Sequence, residues 1–340
     1  MSDIGTPIVS VITLVYNHAP FLEDYFQGIL AQKTTFPFEV IINDDASTDA
    51  SAEIIHKYEM LYPHIFKPIY HSENQYSKGV SFWNILKPMF DKAQGKYIAS
   101  CEGDDYWIDS NKLQKQFDFI SSNVEYSLVF TACKYLFPAG DIRNSHYFYS
   151  DCDISIYDFL KYGPGMIPTG SMFFEANMLI DYPKECQDCY VGDYPLEMFL
   201  TLKGKVRYLN IDTLVYRVGA IGSHTERMSK IAPEIRISGW GTNMKMYQSL
   251  DKYSSYTYSK LFRKFASQTI YNAINAYPKY YNYILENLSK NYPNFKEDLS
   301  QLQRLVLFCI SKESFGISMF INRLIWAYKK ILTSIYSHLK

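Results

Sequence analysis

Phe38-Glu39-Val40-Ile41-Ile42-Asn43-Asp44-Asp45-Ala46-Ser47-Thr48-Asp49 runs from a short apolar stretch straight into an acidic turn. The β-branched run reads as a buried strand, and Ser47, Thr48 and Asp49 are all good N-cap types. They precede Ile54, Ile55, Tyr58 and Leu61, which share one side of a helix. The pattern repeats on both sides. Upstream, Ile8 to Val15 has strand length and is followed by a helix opened by Pro20, with Leu22, Phe26, Ile29 and Leu30 on one face. Downstream, Ile65 to Tyr70 reads as a strand weakened by Pro68, Val80 to Ala93 as a helix, and Lys96 to Ser100 as a strand. Leu113, Phe117 and Ile120 mark the next helix. This alternation predicts an α/β fold: a mostly parallel, Rossmann-like central sheet flanked by helices.

In such sheets ligands sit at the carboxyl ends of the strands. Two acidic clusters fall there: Asp44-Asp45 after one strand, and Glu102-Gly103-Asp104-Asp105 after another expected to be its neighbour. Carboxylates gathered at one rim repel one another unless a cation or hydrogen-bond donors compensate. Mg2+ and Mn2+ take oxygen ligands, commonly one or two carboxylates plus substrate phosphates. A divalent metal and a nucleotide diphosphate are therefore the expected occupants. Gly103 permits a tight turn and a close ligand approach. An isolated Asp-Asp is more often a solvated turn, and the pairing of two strand ends argues against that here.

From Tyr126 the pattern is mixed. Leu128-Val129-Phe130, Ser171 to Phe174 and Thr213 to Tyr216 read as strands, and a helix starts near Pro195. Beyond Ile231 strand signals stop and Tyr-rich helical segments follow. The expected organisation is a sheet domain over 1–230 and a helical region over 231–340.

Composition narrows the function. A formal net charge of -1 is too small for a dedicated nucleic-acid binder, which needs a positive excess to displace phosphate counterions. The 31 Tyr and 22 Phe suit bases, sugars and interfaces, though genome composition alone can also raise such counts. Six scattered cysteines read as reduced structural thiols; Cys186-x-x-Cys189 lacks the second pair or histidines a zinc site would want. The apolar start lacks a basic n-region and a cleavage site, and no run approaches a membrane-spanning length. The expected location is the cytoplasm. From Ser314 to Lys340 there is no acidic residue, while Arg323, Lys329, Lys330 and Lys340 are basic among many apolar residues. That stretch, 314–340, is read either as a peripheral contact with the inner face of the membrane or as a helix packed on the domain or on a second copy of the chain.

Three segments, Ile8 to His18, Phe38 to Asp49 and Ala99 to Trp107, together resemble family 2 glycosyltransferases, which have the GT-A fold. Ile8-Val9-Ser10-Val11-Ile12-Thr13-Leu14-Val15-Tyr16-Asn17-His18 looks like the opening strand and loop of that family. Phe38 to Asp49 resembles its second strand and Asp-Asp-x-Ser-x-Asp turn, and Ala99 to Trp107 its metal-binding DXD segment. Lys112-Leu113-Gln114-Lys115-Gln116 is also typical. The resemblance implies an inverting transfer of sugar from a nucleotide-diphosphate donor, usually a UDP-sugar, to the hydroxyl of a saccharide or lipid-linked saccharide. Bacterial capsule or lipopolysaccharide assembly is the implied context.

The same resemblance assigns residues. Thr13 and Asn17 would line the nucleotide pocket, and Asp44 or Asp45 would accept a hydrogen bond from the base. Asp104 would approach ribose and metal, with Asp105 as a metal ligand. Glu102 stands where many relatives have Asp, which leaves its contact with the metal open. His224 is a further candidate ligand, and Arg217 and Arg227 are candidate diphosphate contacts from a closing loop. An acceptor hydroxyl needs a general base; Asp193, in Val191-Gly192-Asp193-Tyr194-Pro195, fits, with Glu185, Asp188 and Glu197 as substitutes. The rival role is plain capping of the helix that Pro195 opens, and both roles are compatible. Two rivals use the same residues: a glycoside hydrolase casting Glu102 and Asp193 as its acid pair, and a non-catalytic sugar- or partner-binding protein on the same fold.

Overall fold

The computed structural model describes residues 5–144, 147–220, 231–290, 292–312, 318, 319 and 321. The chain divides into two compact units, Met1–Ile231 and Ala232–Lys340.

The first unit alternates as its apolar pattern predicts. It runs β1 (Val9–Val15), α1 (Leu22–Leu30), β2 (Phe38–Asp44), α2 (Ser51–Leu61), β3 (Phe66–Tyr70), α3 (Phe82–Lys92) and β4 (Tyr97–Ser100). Then come β5 (Tyr106–Trp107), α4 (Lys112–Ser122), β6 (Tyr126–Leu136), β7 (Ile142–Asn144), β8 (Cys152–Ile154) and α5 (Asp158–Tyr162). The unit continues with β9 (Phe173–Glu175), α6 (Lys184–Gln187), α7 (Asp193–Lys203) and β10 (Lys205–Arg217). The sheet is ordered β3-β2-β1-β4-β9-β6-β10-β5, with β7 and β8 added beside β6 and β10. Pairs among β3, β2, β1 and β4 are parallel, as is β6 with β10; β9 runs antiparallel between β4 and β6.

This order corrects one expectation. The strands that carry the two acidic clusters are not neighbours: β1 lies between β2 and β4, pairing Val15 with Asp44 and Ile12 with Ser100. Both acidic turns therefore flank the Tyr16-Asn17-His18 loop that follows β1. Pro68 is tolerated because β3 is the edge strand of this path, where a missing N–H leaves no ladder bond unmade.

The parallel strands bury both faces, so their sequences are apolar almost throughout. Val9, Val11, Val40, Ile42 and Ala99 are fully buried under α1, α2 and α4. On α1, Phe26 stacks on Tyr58 of α2 with centroids 3.8 Å apart and meets Phe66 edge-on. At the amino end of the sheet, the Ser10 hydroxyl donates to Glu39, which also accepts from the Gln94 amide, while the Gly95 amide donates to Ser10. A Cβ at Gly95 would lie 2.4 Å from the Ser10 nitrogen, so β4 enters the sheet there only through glycine.

The second unit is helical among its described residues: α8 (Pro233–Tyr253), α9 (Ser259–Ala276), α10 (Tyr281–Leu288) and α11 (Gln301–Ser311). Tyr247, Leu250, Phe262, Phe265, Ile274, Ile284 and Leu288 form its buried interior. A reciprocal cap, Ser300 with Gln303, starts α11. Apart from Ser318, Met319 and Ile321, the stretch 314–340 lies outside the described residues. No helix among the described residues is long and apolar enough to cross a membrane.

Candidate active site

Three loops meet at the carboxyl ends of β1, β2 and β4. Asn17 adopts the left-handed conformation (φ 58°), which lets its side-chain carbonyl accept from the Thr48 amide at 2.8 Å while its own amide donates to Ser47. Asp49 accepts from the Ala19 amide, tying the same two loops again. Asp44 is occupied locally, accepting from the Ser47 hydroxyl and amide. Asp45 reaches the other way: its two carboxylate oxygens accept from the amides of Gln75 (2.7 Å) and Tyr76 (3.1 Å). It thereby orders the segment between β3 and α3, whose Tyr76 hydroxyl donates to that of Tyr190.

After β4 the chain stays beside β1, with the Gly103 amide donating to Leu14 O at 3.0 Å. A Cβ on Gly103 would come within 2.7 Å of the Val15 side chain and 3.0 Å of His18 Nδ1. The glycine is required by that approach. Asp104 Oδ2 lies 3.9 Å from His18 Nε2. Asp105 is almost fully buried; Oδ1 accepts from the Arg217 amide, whereas Oδ2 is buried with no hydrogen-bond partner. Burial, with Asp104 and Glu102 beside it, pushes the Asp105 carboxyl well above the usual carboxylate range, against the pull of Arg217. Burial also raises Glu102, with Asp104 and Asp193 adding to it, to about 8. Glu102 Oε2 is buried without a hydrogen-bond partner.

Arg217 lies on a strand rather than on the loop expected to carry it. It ends β10, bonds the Asp104 carbonyl and Asp24, and its guanidinium lies against Tyr106 (4.5 Å) and Phe21 (5.0 Å). It holds the acidic turn in place. Arg227 and His224 lie outside the described residues.

Asp193 is the first residue of α7, and Gly192 occupies the cap position. Its carboxylate does not cap the helix in the usual way, which would need the amide two or three residues on. Instead Oδ1 accepts from the adjacent Tyr194 amide (2.7 Å) and Oδ2 from the Thr169 hydroxyl (3.3 Å). Gly192 is needed because Phe82 of α3 lies across it: a Cβ there would sit 1.7 Å from the ring. The proposed substitutes for Asp193 stand elsewhere. Glu185 and Asp188 are exposed, and Asp188 is paired with Lys184. Glu197 is buried and does not line the cavity described below.

The turn that carries Thr169 is supported from below. Trp107 Nε1 donates to Gly170 O, and Gln116 Nε2 donates to Ser171 O at 2.7 Å. Lys112 completes this pillar: it is fully buried, donates to Gln116 at 2.7 Å and lies 4.3 Å from the Trp107 ring centre. Burial lowers its ammonium to about 7. The unfolded side chain keeps its proton to about 10.4. Between those values the unfolded chain binds more protons, so stability rises with pH; below pH 7 both states are charged and the folded state carries the whole penalty. Lys112→Met is therefore expected to exceed the parent's stability most at pH 7 and below, by a few kcal/mol, with the gap closing toward pH 10. Urea unfolding of both proteins at several pH values checks this, and a pH-independent gap overturns it.

One cavity of about 270 Å³ collects these groups. Asp45, Glu102, Asp104, Asp105 and Asp193 all line it, with Tyr16, His18, Tyr76, Phe82, Thr169, Val191 and Tyr216 among the remaining walls. Thr13 does not: its side chain is buried in the core, hydrogen-bonded to the Tyr25 hydroxyl beneath α1. Asn17 and Asp44 also stay off the wall, binding the loops that shape it. Tyr76, Phe82 and Thr169 carried no local signal in the sequence, since each is an ordinary loop or helix-start residue until the fold brings it here. Among the described residues no three metal-ligating side chains cluster. The two zinc-spaced cysteines are buried free thiols.

The family description "Glycosyl transferase family 2" matches residues 10–179, half of the chain. The chain belongs to that family. It is 35% identical over 135 residues to the putative teichuronic acid biosynthesis glycosyltransferase TuaG of Bacillus subtilis, covering 40% of this chain and 49% of TuaG. With WfaP of Escherichia coli, a UDP-Glc:alpha-D-GlcNAc-diphosphoundecaprenol beta-1,3-glucosyltransferase, it shares 28% identity over 214 residues, 63% of this chain and 78% of WfaP. Against other curated relatives the match spans only 37% of their length. Among solved structures, Staphylococcus aureus TarS 1-349 in complex with UDP-GlcNAc has a TM-score of 0.57 over 95% of this chain and 91% of that one, at 15% identity. The α/β architecture is thus the GT-A fold expected from the sequence.

Proposed function

We propose that this family 2 protein is an inverting glycosyltransferase that takes a nucleotide-diphosphate sugar, a UDP-sugar, and transfers its sugar to the hydroxyl of a saccharide acceptor. The observation that carries the reading is the one cavity shared by Asp45, Asp104, Asp105 and Asp193, contributed by two separate strand ends and a helix start. Asp45, beside Tyr16 and Tyr76, takes the nucleoside end. Its oxygens each hold one backbone amide and retain lone pairs for a base N–H. Asp193 stands on the acceptor side, held by Tyr194 and Thr169, with lone pairs free to take the hydroxyl proton. The deprotonated oxygen then attacks the anomeric carbon from the face opposite the leaving diphosphate.

The carboxylates suit a hard divalent cation, Mn2+ or Mg2+. Asp105 offers a buried oxygen with no partner, and Asp104 stands beside it on the same cavity wall. Few protein ligands are then needed, because substrate phosphates and waters complete such sites. When bound, the metal would neutralise charge developing on the diphosphate. A hydrolase would find a proton donor in Glu102, yet leave Asp45, Asp104 and Asp105 without a role.

The names of TuaG and WfaP support surface polysaccharide synthesis, with a lipid-linked saccharide as acceptor; such an acceptor would place the reaction at the inner face of the membrane, met from the cytoplasm. Incubating the full chain with a panel of nucleotide sugars, with and without Mn2+, tests the activity. Metal-dependent UDP binding and nucleotide release are expected. Tight sugar binding with no nucleotide requirement would overturn the reading.

A further inference from the structure

Behind the cavity wall formed by Glu102 and Asp193 lies a second, smaller space of about 40 Å³. The two spaces share Leu14, Phe82, Glu102, Thr169, Gly192 and Asp193, so the smaller one is a side lobe of the site. Its character changes with depth. The mouth carries polar groups: the Glu102 carboxyl, the Thr169 hydroxyl and the Asp193 carboxylate. The interior is apolar apart from the Ser100 hydroxyl, built by Ile12, Leu86, Phe90, Ile98, Phe174 and Leu196 from both strands and helices. Its walls are fixed, since Phe82 is wedged against Gly192 and the strand residues are buried.

A lobe of this size holds about three non-hydrogen atoms, given roughly 10–15 Å³ for each water-sized occupant. Water suits it poorly, because a buried water needs two to four polar partners and beyond the mouth the lobe offers only the Ser100 hydroxyl, already committed to the Thr169 carbonyl. A sugar hydroxyl is too short to reach past the mouth and would leave the apolar interior unfilled. An acetyl group on nitrogen fits both requirements: three heavy atoms, an amide N–H for a carboxyl oxygen at the mouth, a carbonyl oxygen that stays at the mouth with the Thr169 hydroxyl, and a methyl for the interior. Glu102 Oε2, buried and without a hydrogen-bond partner, stands at that mouth.

We propose that this lobe makes the enzyme select a donor sugar bearing an acetamido group, with Leu86 and Phe90 setting the depth of the pocket. The inference rests on the glycosyltransferase reading above. The test compares UDP-N-acetylglucosamine, UDP-glucose and UDP itself as ligands of the full chain with Mn2+ present, by calorimetry and by competition. The acetamido donor is expected to bind at least tenfold more tightly than UDP-glucose, a ratio typical for filling a small pocket. Leu86→Phe, which fills the lobe from α3, should erase that ratio while leaving UDP and UDP-glucose affinity unchanged. Phe90→Trp serves as a second filling variant should the first fold poorly, with UDP affinity reporting on the fold. Equal binding of the two sugars by the parent protein, with UDP still bound, overturns the lobe assignment alone. So does a preference that survives both filling variants. Absence of UDP binding overturns both the assignment and the reading beneath it.

Discussion

Asp105→Asn is expected to abolish metal-dependent nucleotide binding while leaving the metal-free protein at least as stable as the parent. The side chain keeps its shape, and its carbonyl oxygen still accepts from the Arg217 amide. What disappears is a carboxyl that burial disfavours in its charged form, beside Asp104 and Glu102. Without a cation such a group weakens the fold or takes up a proton; with one, its charge becomes the reason the cation binds. The two measurements should therefore move in opposite directions. In thermal unfolding, the parent should gain stability when Mn2+ and UDP are added together, and the variant should gain little. Transfer should fall by about 10²–10³, the scale for removing one oriented electrostatic group from a reacting site. Metal-dependent stabilisation by UDP that persists in the variant would remove Asp105 from the metal site.

The second large effect separates chemistry from binding. Asp193→Asn retains an oxygen for the Tyr194 amide, so α7 should begin where it does now. Its amide no longer accepts a proton. Transfer is expected to drop by about 10²–10⁴, the usual range for losing a general base, while UDP affinity stays within about twofold. This pattern, a fall in kcat with unchanged donor binding, marks an interaction made in the transition state. Substitution of Glu185 or Asp188 should do neither, because both are exposed away from the cavity. Transfer within tenfold of the parent would show that the proton goes elsewhere.

The two variants differ in how readable their residues were. Asp105 announces itself locally: a buried strand, a glycine and two acids follow one another without interruption, and a strand end is where such sheets bind ligands. Asp193 carries a weaker signal, a lone acid after a glycine at a helix start, which serves equally well as a cap. The bonds to Tyr194 and Thr169, and the shared cavity, exist only in the fold, and they are what supports the proposed base. Glu102 was ambiguous for a different reason. Its spacing within the acidic turn says nothing about Asp193, yet the fold brings the two carboxyl groups to one wall, and each alters the other's surroundings.

Thr13 and Asn17 show the converse. Their place in the opening strand and loop suggested a nucleotide pocket. Strand alternation instead turns Thr13 under α1 toward Tyr25, and a left-handed turn at Asn17 points its side-chain carbonyl at the Thr48 amide. Arg217, expected to swing over a diphosphate, is pinned between two rings by the end of β10.

Local sequence by itself determined the alternation of strands and helices, the parallel character of the sheet and the acidic strand ends, because each depends on side chains only a few positions apart. The order of the strands depends on pairings between distant segments, which no local pattern encodes. It placed β1 between the two acidic turns, made the Gly103 and Gly192 approaches necessary, and set Thr169 on a pillar of Trp107, Lys112 and Gln116. A cavity is the space that such distant segments leave between them. Its existence, its apolar side lobe and its company of carboxylates were therefore decided by tertiary structure alone.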